Sequence, residues 1–409
     1  MRYWGWIIGI LLFLGHPFGG GAFPTDSLPP YCTLSLVQEP VPDWPHTADE
    51  SNPDIFNLHL FNTILQEKNL RNQLIPSILV ALTLGLMSEG AAGETRNEML
   101  KVLRQTPQSL DDFNAINLQI LDEMIQNKGE HEFFTARSIW VSQQLKVSPQ
   151  FTKKAQEIYK SKVNTYTPGP ESHKEISAWF KEQMGGKVPP VFKQSSAEDK
   201  LLTLDGLLFK GNWAVEFRSM GYLNFNLVDG QTSIPHTMMY REGTFEYFED
   251  EFLQAVRLPY QKSDLVLELY LPRQANGIIN MARYVRPDVW SKWQQSFTKK
   301  AGTVIMPVFS FNSRVTVPEV LTKMGVKTAF HPQAADFSPM FEGSNTRISN
   351  MVFASSFRTS TDGAAVPFSA KTVGGQGFHM LVDHPFFYLV RHRSLNRIVL
   401  MGTIVKPKD

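Results

Sequence analysis

The sequence predicts an α+β fold built as one large domain. Three observations carry that expectation. Segments whose apolar residues recur at helical spacing crowd the first half of the chain, and long apolar runs suited to buried strands follow. The two kinds of segment mix without strict alternation, as in an α+β architecture. No linker-like composition interrupts residues 54–409, and 42% apolar residues in a chain of 409 can bury a large core.

Residues 1–22 read as a secretion signal. Arg2 supplies a short positive start, residues 4–14 an apolar core, and Gly19, Gly20, Gly21 and Ala22 a cleavage site. A membrane anchor is the rival reading, but the run is shorter than the ~20 residues a spanning helix needs. Residues 23–53 carry Pro24, Pro29, Pro30, Pro40, Pro42, Pro45 and Pro53 among polar and acidic residues, the composition of an irregular extension. The alternative is a partner-binding arm with Trp44 and Cys32 as handles.

In 54–66, Ile55, Leu58, Phe61 and Leu65 predict an amphipathic helix. Residues 77–89 are apolar on every side and predict a helix inside the protein, with Gly90 as its C-cap. Thr95-Arg96-Asn97-Glu98 predicts a capping box that opens the next helix. Helical patterns follow at 109–126, 149–163 and 173–184. Strands are expected at 137–141, 201–209, 265–271 and 304–311; the second is apolar on both faces, which suits a covered central strand. Near the C-terminus, 385–390 and 398–404 form two more strands around a polar turn.

The net charge of +1, without a long basic run, gives nucleic-acid binding or a polybasic membrane anchor little support. The lone Cys32 excludes an intramolecular disulfide and any cysteine-based zinc cluster. No Asn-X-Ser/Thr sequon occurs, so N-glycosylation is not expected. Catalytic signatures are missing. There is no G-x-S-x-G elbow, and Gly185-Gly186-Lys187 lacks the rest of a Walker loop. His131-Glu132 lacks a second histidine, and Gly374-Gly375-Gln376-Gly377 lies between a polar loop and a strand, the wrong context for a dinucleotide fingerprint. Asp383-His384 could be half of a triad, but neighbours on a strand point to opposite faces, so the pair reads as structural. The ten histidines show no metal-ligand spacing. Enzyme activity, a metal and a cofactor are therefore not expected.

Several motifs recur in one order. Asn72-Gln73-Leu74-Ile75 leads to the buried helix and to Gly90-Ala91-Ala92-Gly93-Glu94-Thr95. Ile176, Trp179, Gly186, Lys187 and Val188 follow, then Phe209-Lys210-Gly211-Asn212-Trp213. Met238-Met239, Leu258-Pro259-Tyr260, Leu271-Pro272, Met306-Pro307-Val308-Phe309 and Ala335-Asp336-Phe337-Ser338 come next, and Asp383-His384-Pro385-Phe386 with Met401-Gly402 closes the series. Across 54–406 this order and spacing resembles the serpins. The resemblance implies three β-sheets, about nine helices and an exposed reactive-centre loop. It also implies a mechanism. A target protease cleaves the loop and forms an acyl-enzyme, and the cut loop inserts as a new central strand before deacylation.

The same resemblance places the hinge of that loop at Gly363, Ala364, Ala365, Val366, Pro367 and Phe368. The family has Glu-Glu-Gly-Thr and then small residues there. Gly363, Ala364 and Ala365 conform. Pro367 lacks the N–H that an inserted strand must donate, a loss of about 1–3 kcal/mol. Phe368 adds a ring where small residues are the rule, for roughly 1–3 kcal/mol more. A few kcal/mol on the insertion barrier slows it about 10²- to 10³-fold. The loop is short, so counts from its two ends give different bait positions: Gly377 from the hinge and Lys371 from Asp383, with Phe378 a third candidate. The sheet-opening cluster departs too. Its family pattern Ser-Pro-x-Ser-Ile becomes Pro76-Ser77-Ile78-Leu79-Val80, and its buried Asn and His become Asp205 and Phe353, which leaves Asp205 to find another partner.

The function expected is a secreted, extracellular serpin-fold protein that inhibits weakly or not at all and acts by protein or ligand binding. The alternative is a working inhibitor of an extracellular serine protease, and a third is a protease substrate that releases a peptide. The acidic residues Asp111, Asp112, Asp122 and Glu123 in 109–126 speak against heparin-type binding. A monomer is expected, or a dimer through Cys32.

Overall fold

Helix α1 (Ile55–Leu65) buries Asn57 and Asn62 as well as its apolar residues, so it is covered on most of its circumference instead of along one amphipathic stripe. The computed structural model describes residues 53–66, 70–126, 131–189, 196–281, 285–343, 345–359, 361 and 377–408. The chain divides into two units, Met1–Asp43 and Trp44–Asp409, and every described residue belongs to the second. After β1 (Gln73–Ile75), α2 (Ser77–Glu89) is buried nearly throughout, as its all-round apolar pattern requires. Gly90 caps it at φ −93° and ψ 0°, so no left-handed backbone is involved, and its need for glycine is steric: a Cβ there would meet Met340 at 2.6 Å and Phe151 at 2.8 Å.

The capping box is not formed. Helix α3 starts three residues earlier (Gly93–Leu103), with Ala92 at the N-cap. Thr95 Oγ1 instead accepts the Asp336 N–H at 3.0 Å, and the Glu98 carboxylate takes the N–H groups of Lys327 and Thr328 at 2.8 and 2.7 Å. The polar residues that looked like a local cap are tertiary ties to a distant loop. Helix α4 (Leu110–Gln126), strand β2 (His131–Ser142), α5 (Pro149–Glu157), β3 (Lys162–Tyr166) and α6 (Ser172–Gln183) follow. The pattern at 149–163 is thus a shorter helix that gives way to an edge strand.

The remaining strands are β4 (Leu201–Gly211), β5 (Arg218–Asn226), β6 (Ser233–Glu249), β7 (Leu253–Pro259) and β8 (Leu265–Pro272). After α7 (Pro287–Ser296) come β9 (Thr298–Pro307), β10 (Ser310–Thr316), α8 (Pro318–Met324), β11 (Asn350–Arg358), β12 (Phe378–Leu381), β13 (Phe386–His392) and β14 (Arg397–Ile404). The apolar run 304–311 is therefore not one strand. It turns after Pro307, and its two halves enter different sheets.

Among the described residues the strands pair into two sheets. One has five strands in the order β10-β11-β4-β2-β3, with β4 at its centre as its two-sided apolar pattern implies. The other has nine, ordered β1-β14-β13-β8-β7-β6-β9-β12 with β5 on β6. The long β6 pairs with β5, β7 and β9, which joins what would otherwise be two sheets. Helix α2 packs on β4 from one sheet and β14 from the other, so the main core lies between them. At its far side the buried Glu268 accepts from Arg391 at 3.2 Å, Arg257 at 2.9 Å and the Tyr270 hydroxyl at 2.6 Å. Burial pushes the Glu268 carboxyl up, but the two arginines outweigh it and hold it below the usual range.

Candidate functional site

The site begins with the seam between β11 and β4. The two strands run parallel in unbroken register from Asn350↔Leu202 to Arg358↔Lys210. One face of the seam looks at α2. Phe353, Asp205 and Arg137 stand abreast there on β11, β4 and β2. Phe353 and Leu79 are fully buried in the core. Asp205 is 1% exposed, and its partners are Arg137 Nε at 3.2 Å and Thr83 Oγ1 of α2 at 2.9 Å. Arg137 completes its fork with Thr83 Oγ1 at 3.2 Å and with the Tyr159 carbonyl. Burial pushes the Asp205 carboxyl up to about 6, against the pull of Arg137 and Thr83. Burial likewise lowers Arg137, and the charge of Asp205 partly offsets it.

Of the four cluster residues, Asp205 and Phe353 meet as a cross-strand pair. Ser77 does not join them, because its hydroxyl donates to the Ile398 carbonyl of β14 at 3.4 Å. The partners that matter, Arg137 and Thr83, were not singled out in the sequence. One signal pointed to Arg137. It is a cation beside the apolar run 139–141, and Asp205 is an anion within the largely apolar run 201–209; each needs a countercharge when buried.

Helix α6 covers the opposite face of the seam. Ile176, Phe180 and Met184 pack with Leu202, Leu204, Leu208, Val352 and Ala354 of the two strands. Gly206 makes the approach possible, since a Cβ there would lie 2.6 Å from the Phe180 ring. At the end of β4, Trp213 stacks on Tyr260 at 4.9 Å and 11°. Gly211 of the same motif leaves room for Tyr260, whose ring a Cβ would meet at 2.3 Å.

The loop leaves near Thr359 and returns at Gly377. Gly363, Ala364, Ala365, Val366, Pro367, Phe368 and Lys371 lie outside the described residues, as do Cys32 and the whole of 1–52. Gly377 has φ +129°, and a Cβ would come 2.1 Å from the Ala301 carbonyl, so glycine serves the close approach to β9. Phe378 is the first residue of β12 and pairs with Gly302. Its ring stacks on Tyr247 at 3.7 Å and 9°. Both bait candidates at this end are thereby engaged with the sheet.

Asp383 and His384 lie in the connection between β12 and β13, not in a strand, so their side chains do meet, at 2.8 Å. The second imidazole nitrogen faces the Pro272 carbonyl at 2.6 Å, and Asp383 accepts from the Asn226 side chain at 3.2 Å. The pair ties β5, β8 and this connection together. Among the described residues there is no group of three or more His, Cys, Asp or Glu able to hold a metal, and no helix long and apolar enough to cross a membrane.

The family model described as Serpin (serine protease inhibitor) matches residues 51–407. An uncharacterised serpin-like protein of Thermococcus kodakarensis is 26% identical over 380 residues, 87% of this chain and 84% of that protein. The structure of mouse protein-Z dependent protease inhibitor superposes with a TM-score of 0.78 at 20% identity, covering 88% of this chain and 97% of that one. A thyroxine-binding globulin in complex with thyroxine gives 0.76 at 21% identity, covering 88% and 98%.

Proposed function

Because the chain belongs to the serpin family, we propose that it is a secreted member that inhibits proteases weakly or not at all and acts by binding a protein or a small ligand. The observation that carries this reading is the hinge. Pro367 and Phe368 stand where an inserting loop needs an N–H donor and a small side chain. The seam supports it. For β4 to slide over α2 as the seam parts, Thr83 must leave the Asp205–Arg137 pair. The pair itself stays together on adjacent strands, so the cost is that of the hydrogen bonds to Thr83, about 1.5–3 kcal/mol each. Residues 1–22 supply the secretion signal and 23–53 an extension before the domain at 54–409. The thyroxine complex of one structural neighbour is a precedent for ligand binding on this fold.

The second reading, an extracellular serine-protease inhibitor, is favoured by Gly363, Ala364 and Ala365, which suit insertion. Incubation with a panel of serine proteases, followed by denaturing electrophoresis, separates the two. The proposed reading expects cleaved protein without a covalent complex. A stable complex at near-stoichiometric yield would overturn it.

A further inference from the structure

Between the end of α1, strand β1, the far end of β10 and the start of α8 lies an open cleft of about 390 Å³. This is within the roughly 300–1,000 Å³ of small-molecule sites. It lies below the start of β11, at the opposite end of that strand from the loop. Ile64, Val315 and Val320 form an apolar wall. Two amides face the cleft from within. Gln73 is 5% exposed, and its side chain makes no hydrogen bond among the described residues. Asn350 Oδ1 is buried and unpartnered. Arg71 and Arg314 stand exposed on the rim, and neither forms an ion pair among the described residues. Glu319 is the one anion in the lining.

Each element points to one part of a ligand. The buried, unpaired Asn350 Oδ1 is costly and calls for a donor, and the Gln73 amide in the same lining can both donate and accept, so a ligand amide serves the two together. Two guanidinium groups select a carboxylate, as charge-assisted bonds are the strong ones. Glu319 disfavours a second negative charge. The apolar wall takes a hydrocarbon group. We propose that this cleft is a binding site for small N-acyl amino acids, with the carboxylate on Arg314 and Arg71, the amide on Gln73 and Asn350, and the acyl or side-chain group against Ile64, Val315 and Val320. The proposal is independent of whether the loop inserts.

Calorimetric titration of the full chain with N-benzoylglycine and N-acetylleucine tests it. One saturable site is expected for both. Uncharged N-benzoylglycinamide should bind about tenfold more weakly, because the charged bond is lost. Arg314→Ala removes an exposed side chain and should leave the melting temperature unchanged while weakening N-benzoylglycine about tenfold. Asn350→Ala should weaken it as well. Absence of saturable binding by both compounds would overturn the proposal, as would affinities identical in the parent, Arg314→Ala and Asn350→Ala.

Discussion

Asp205 shows how one residue sets the polar contacts beneath the β11–β4 seam. A buried carboxylate in this sheet has to be neutralised, protonated or paired, and here Arg137 and Thr83 pair it. Its folded-state pKa is raised to about 6 from an ordinary 3.8. Between those values the folded protein holds a proton that the unfolded chain has released. The contribution of Asp205 to stability is therefore fully present below the window and declines as pH rises through it. Arg137→Gln removes the countercharge. We expect a loss of about 3–5 kcal/mol at pH 7 in urea unfolding. Without the guanidinium the carboxyl is pushed up further, so the loss should shrink as pH falls toward 6 and level off below it, where both proteins hold the proton. A small, pH-independent loss would mean that Asp205 does not depend on Arg137.

The contact of α6 with β4 sets how tightly the seam is covered. Gly206 lets Phe180 lie directly on the strand, and both faces of β4 are thereby buried. Gly206→Ala places a methyl group 2.6 Å from that ring. Overpacking of this kind costs about 1–3 kcal/mol. The helix should lift as a unit, so amide exchange of α6 should speed up while that of β13 and β14 stays unchanged. Equal acceleration in both sheets would show that α6 and the core open together.

For the molecule as a whole, the decisive quantity is the change in stability after the loop is cut. Insertion adds a strand to the five-stranded sheet, whereas a blocked hinge leaves that sheet as it is. Nicking between Lys371 and Phe378 should leave the melting temperature nearly unchanged. A rise of tens of degrees would refute the hinge argument. In the Pro367→Ala, Phe368→Ala double variant the nicked protein should melt higher than the nicked parent. If it does not, the short loop or the Asp205–Arg137 network is the barrier. Cys32 sits in a proline-rich extension, and an unpaired thiol in a secreted chain often pairs between molecules. Under the proposed secretion, protein collected from the medium should show a disulfide-linked dimer or mixed disulfide on non-reducing gels, absent in Cys32→Ser. A single monomer band whose thiol reacts only after denaturation would argue for a buried cysteine.

Local pattern alone determined the α+β class, the buried helix at 77–89, the central strand at 201–209 and the two C-terminal strands, because spacing of apolar residues reports the face that must be buried. The motif order determined the family. Local pattern did not reveal that Thr95 and Glu98 would reach residues 327–336, or that the run 304–311 would divide between sheets. Nor did it pair Asp205 with Arg137, which lies 68 residues away. Those outcomes depend on strand register and on which distant backbone groups lack partners. Only the tertiary structure decided them, because a buried charge or N–H takes its partner from whatever the fold brings within about 3 Å.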